Sequence, residues 1–194
     1  MHYRRIVCLL LGIWMGGALL MAWYGARGFN TVESIISQAH PAFAAQTKAL
    51  GPAGTRSTVR YILAEQNRWF FRSWENMQLL LAAVMFAYLL FGTMEGKVSL
   101  AIILALIGLT LLERVLISPE MGLSGRALEY LPADLKQQEH ARFWLLHNTY
   151  LGVEVLKFGC GLILGAIVFS GRRSVDPLNQ LNVIDKPNHR HVNR

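Results

Sequence analysis

His147, Tyr150, Glu154 and Lys157 carry groups that can bind, pair or move a proton. Their spacings of three, four and three put them on one face of a helix. They lie in or just before residues 149–170, an apolar stretch about long enough to cross a bilayer. A charge at that depth costs roughly 2.5–3.5 kcal/mol on insertion scales, so Glu154 and Lys157 need partners to turn toward. Asn148 adds an amide beside them. Two other apolar stretches offer partners: Glu75, Asn76 and Gln78 at the start of one, Glu113 and Arg114 near the end of another. This set can do one of two things. It can line a polar vestibule that binds a ligand from one side of the membrane, or it can form ion pairs that lock helix register.

Four apolar stretches must position these groups. Residues 6–24 follow Arg4 and Arg5 and form the first. A signal peptide also has a basic start and an apolar core, but this core exceeds the usual length of about 7–15 residues, so a retained span is expected. Gly12 and Gly16 form a small-xxx-small pair that would let another helix approach closely. Residues 29–50 read as a helix continuing beyond the membrane until Pro41 bends or ends it, with His40 a solvated loop residue. Residues 51–55 (GPAGT) are turn chemistry, and helix resumes at Ser57.

The second span covers residues 74–91. Trp69, Phe70, Phe71 and Trp74, with Arg68 and Arg72, form an interfacial belt before it. The short link at residues 92–96 makes the third span, 98–117, run antiparallel beside the second. Ser118-Pro119-Glu120 reads as the N-cap, first residue and early acid of a new short helix, which Leu131-Pro132 breaks. Residues 133–147 run on into the fourth span. The pattern thus predicts an all-α integral membrane protein, a four-helix antiparallel bundle with helices extending beyond the membrane on one side. Residues 1–171 form a single membrane domain and 172–194 a flexible polar tail.

The chain has 194 residues, 53% of them hydrophobic and 16% charged, against about 25% charged for a soluble domain. The net charge of +7 comes mostly from residues outside the apolar stretches, so it marks loops and headgroup contacts. It does not form the aromatic-interleaved basic patch of a nucleic-acid binder. The expected partners are the lipid bilayer and a small solute or membrane protein. Cys8 and Cys160 lie in apolar stretches without metal-ligand spacing and act as small hydrophobes. No cofactor or metal is expected, and no complete nucleophile–base–orienter set points to an enzyme. Arg4-Arg5, Lys97 and Arg172-Arg173 lie close to membrane ends on one side, which favours cytoplasmic termini.

Four short features follow one another in order: W-x-G-G at 14–17, N-R-W-F-F at 67–71, a third span ending near Pro119, and F-x-x-x-H from Phe143 to His147. In this the chain resembles the transmembrane protein 205-like family, small four-span proteins with a domain of unknown function, over about residues 9–169. The resemblance implies a four-helix membrane bundle and no particular chemistry. A wider likeness reaches copper-resistance-type membrane proteins and small haem-binding membrane oxidases. Those carry a histidine about seven residues before the tryptophan of W-x-G-G, where this chain has Val7; its His2 lies outside the span. The expected role is binding, transport-accessory or stress resistance through the polar cluster. The alternatives are a haem- or metal-binding redox protein centred on His147 and a structural partner subunit.

Overall fold

The computed structural model describes residues 2–92, 96–130 and 132–170. Nearly all of them are helical, and among them there is no strand. Helix α1 spans His2–Ser37, α2 Pro41–Thr47, α3 Gly51–Gly92, α4 Lys97–Leu112, α5 Ser118–Tyr130 and α6 Ala133–Ser170. Four segments, Arg4–Arg27, Pro41–Phe91, Lys97–Leu128 and Leu135–Ser170, are long and apolar enough to cross a membrane. α1 packs on α3 and α6, and α4 packs on the same two helices. Val7, Leu11 and Trp14 of α1 meet Leu81, Met85 and Leu89 of α3, Ile103 and Leu106 of α4, and Leu164 and Val168 of α6 in one core. Cys8 and Cys160 pack against it as free thiols.

Local chemistry explains where the helices begin and end, and corrects several expectations. Pro41 opens α2, with the His40 ring nitrogen accepting the Ala42 N–H at 3.2 Å, so His40 is a helix cap. The 51–55 stretch starts a helix: Gly51 adopts φ 67°, and α3 then runs for 42 residues. Only glycine enters that backbone region without strain, and Pro52 suits the first helical position. The Trp74 ring of α3 packs directly on Gly17 of α1, where any Cβ would collide with it. The Gly12–Gly16 pair takes no part, since a Cβ at either position would meet nothing within 4 Å.

Ser118 caps no new helix. α4 passes into α5 through a π-helical turn, Glu113–Ile117, in which the Ser118 N–H bonds the Glu113 carbonyl. Pro119 has no N–H for its preceding turn and its ring crowds that turn's carbonyl. The wider π turn loosens the ladder just there and keeps the chain helical. The aromatic group at 69–74 is not a uniform belt. Phe70 meets Tyr24 at 5.1 Å, Phe71 meets Tyr150 at 5.9 Å and Trp74 packs on Gly17, leaving Trp69 exposed. α5 ends at Tyr130 and α6 begins at Ala133, on either side of the expected break, of which Leu131 lies outside the described residues. Positions 93–95 of the expected link and the whole expected tail, 172–194, lie outside the described residues.

Candidate functional site

Lys157 is the centre of the site. It sits on α6 with no exposed surface and donates to the Gln78 side-chain oxygen of α3 at 2.8 Å, to Glu154 at 3.0 Å, and to Glu113 of the π turn. Gln78 closes the ring by donating to the same Glu154 oxygen at 3.5 Å. One lysine thus ties together three helices that each lie within an apolar stretch. The ammonium has three protons to donate, and the three acceptors take them all. A buried charge survives only with such complete pairing, because removing the group from water costs several kcal/mol.

Glu75 lies one helical turn before Gln78 on α3 and is also fully buried. The Ser118 hydroxyl donates to its Oε1, and Arg114 Nε stands 3.9 Å from its Oε2. Arg114 Nε donates to the Asn76 side-chain Oδ1 at 3.2 Å, on a more exposed flank. Glu75 Oε2, Glu113 Oε1 and the Tyr150 hydroxyl are buried without a hydrogen-bond partner. The π turn sets this arrangement: it buries Glu113, Ile117 and Ser118 while Arg114 stays partly exposed.

Of the expected residues, Gln78, Glu113, Glu154 and Lys157 form the core of the cluster, with Asn76 and Arg114 on its flank. Glu154 is 20% exposed and meets Lys157 and Gln78, not Asn76 or Arg114 as its face alone suggests. His147 and Asn148 are not in the cluster. The His147 ring stacks on Phe143 at 6.0 Å and meets Trp144 edge-on, and Asn148 faces outward. Ten residues separate His147 from Lys157, about 15 Å along the axis and about 80° around it, so the two cannot share one site. Among the described residues no three His, Cys, Asp or Glu side chains converge as a metal would require. Ser118 is the member the sequence hid, because Ser-Pro-Glu looks like a helix start.

A separate open groove lies between α5 and α6, lined by Leu123, Ser124, Gln138 and Arg142. The Arg142–Glu120 ion pair ties those two helices together. No family model matches the chain, and no curated protein and no solved structure matches it either.

Proposed function

We propose that the chain is an integral multi-pass membrane protein, a four-helix antiparallel bundle that acts in binding, transport-accessory or stress-resistance work through the Lys157 cluster. The observation that carries this reading is the fully buried lysine, with partners drawn from α3, the π turn and α6, inside helices apolar enough to span a bilayer. Ionisable groups in such helices are expensive and concentrate where ions or substrates are handled. The spans on this reading are residues 6–24, 74–91, 98–117 and 149–170. The exposed tryptophans Trp23, Trp69 and Trp144 stand on three different helices, just before or at the end of these spans, where indole rings favour the headgroup level. Arg4, Arg5 and Lys97 flank the other ends, which supports cytoplasmic termini. The resemblance to the transmembrane protein 205-like family supports the same architecture.

The competing reading is a purely structural lock. Replacing a buried ion pair with apolar side chains of similar size is often neutral or stabilising, so a lock is dispensable where a working site is not. The test is the combined variant Lys157→Met, Glu113→Leu, Glu154→Leu in a host deleted for this chain. A variant that accumulates in membranes but fails to restore the deletion phenotype supports the reading. Full restoration overturns it.

A further inference from the structure

The cluster does not balance as drawn from ionised groups. α3 brings Glu75, the π turn brings Glu113 and Arg114, and α6 brings Glu154 and Lys157. Three carboxyl groups therefore face two cations. α5 adds only the Ser118 hydroxyl, and Tyr150 of α6 adds a phenol buried within electrostatic reach of all three acids. α1 faces the apolar core with Val7, Leu11 and Trp14. Arg114 is 35% exposed and shared with Asn76, so it compensates Glu75 only in part.

An uncompensated carboxylate enclosed by apolar helices is one of the least stable arrangements a membrane protein can hold. Carboxyl groups that crowd one site relieve it by keeping a proton. Two oxygens show where that proton fits. Glu75 Oε2 and Glu113 Oε1 have neither exposed surface nor a hydrogen-bond partner, while the other oxygen of each group is held, by Ser118 and by Lys157 respectively. Glu113 Oε1 is thus free at a position sealed from water, and Glu75 Oε2, equally sealed, faces Arg114 Nε only at 3.9 Å, beyond hydrogen-bond reach.

We infer that this cluster is a binding site for one exchangeable proton, carried by the Glu75 and Glu113 carboxyls. With the proton bound, two carboxylates meet two cations and the helices can close without net charge. When it leaves to water, one negative charge remains between α3, the π turn and α6. That charge must draw in water or a cation, or drive the helices apart. Glu154, 20% exposed at the rim, is the member through which the site meets the outside. Proton binding is then the event that couples the cluster to the proposed membrane role, and the inference rests on that role's membrane-spanning architecture.

Infrared spectroscopy of the intact chain in lipid nanodiscs reads protonated carboxyl groups directly through their C=O stretch. The expected result is a protonated-carboxyl band at pH 7 that shifts in heavy water and is lost on raising the pH. Glu113→Gln or Glu75→Gln should remove it, and Glu65→Gln, outside the spans, should leave it unchanged. Where a glutamine variant does not fold, Glu113→Asp and Glu75→Asp keep the carboxyl and should shift the band. Absence of the band in the parent at pH 7 overturns the inference, as does a band that none of the four variants removes or shifts. A chain that an alkaline carbonate wash strips from membranes defeats the membrane reading itself. A chain that stays inserted but lacks the band defeats only the proton site.

Discussion

Lys157 and Arg56 are both cations bonded to glutamates, and they live in opposite surroundings. Lys157 has no exposed surface and its partner Glu113 has none either. Arg56 and Glu33 are 50% and 64% exposed, and their side chains meet in two parallel contacts of 2.9 and 3.1 Å that tie α3 to α1. Between them stands Glu65, one-third exposed, which accepts from Arg126 at 2.6 and 3.1 Å and from Arg68 at 2.6 Å, joining α3 to α5. All of these contacts are within hydrogen-bond reach, and what separates them is the solvent. Water supplies the exposed partners with a substitute the moment they separate, and salt screens them. The buried lysine has no substitute. Geometry alone would rank the Arg56 pair, with its fork of two bonds, as the stronger. Burial reverses that ranking for the cost of breaking it.

The sharpest way to break this comparison is to remove one partner at the buried end. Lys157→Ala leaves the Glu113 carboxyl and the Gln78 side-chain oxygen buried without the ammonium, and breaking such a pair costs about 3–5 kcal/mol. Thermal or denaturant unfolding in detergent should show a loss of that size. Glu154→Ala should cost less, about 1.5–3 kcal/mol as for a hydrogen bond to a charged group, because Glu113 and Gln78 still hold the ammonium. Equal stability of Lys157→Ala and the parent would remove the distinction between the two regions.

A middle case sharpens it. Hydrogen bonds from Arg126, and then Arg68, hold the Glu65 carboxyl down at about 2. A depressed carboxyl contributes stability above its unfolded value, near 4.3, and that contribution is lost as pH falls through the folded value. The α3–α5 tie should therefore weaken between about pH 4.5 and pH 2. Glu65→Gln should remove that part of the acid dependence while costing no more than about 1 kcal/mol at pH 7, because the pair is partly solvated. Denaturation midpoints of parent and variant across that pH range give the answer. Parallel curves would show that the bidentate contact contributes nothing in solution.

The helices were largely legible in the sequence because apolar runs of about twenty residues admit few other structures. The Lys157–Glu154 pair was legible too, since a spacing of three fixes it on one helix. The choice between Glu113 and Arg114 was not. Adjacent residues point about 100° apart, and the π turn at Glu113–Ile117 resets which of them faces inward. The same turn turned Ser118 from an apparent helix cap into a partner of Glu75. His147 shows the opposite failure: a shared helix face is not a shared site, because about 15 Å of rise separates it from Lys157. Phe70, Phe71 and Trp74 look like a headgroup belt by composition, yet each packs on a neighbouring helix. Composition does not say which aromatic side chains find a partner inside the protein.

The smallest effect belongs to the exposed end of the comparison. Glu33→Ala removes the only acid in the Arg56 fork, so it deletes the whole α1–α3 ion pair in one step. Neither side chain is left buried, and the Arg56 guanidinium returns to water. The gain of the pair is modest in high dielectric, and holding two long side chains in one geometry offsets part of it. The expected loss is below about 1 kcal/mol at low salt. It should fade on raising the salt toward about 1 M, where the screening length shrinks to about 3 Å. The Lys157→Ala loss should persist at that salt, since ions do not enter the buried cluster. Measuring both variants at low and high salt therefore separates the two regions in one experiment. A salt-resistant loss of several kcal/mol at Glu33 would mean that the extension of α1 beyond its apolar stretch is enclosed by something other than water.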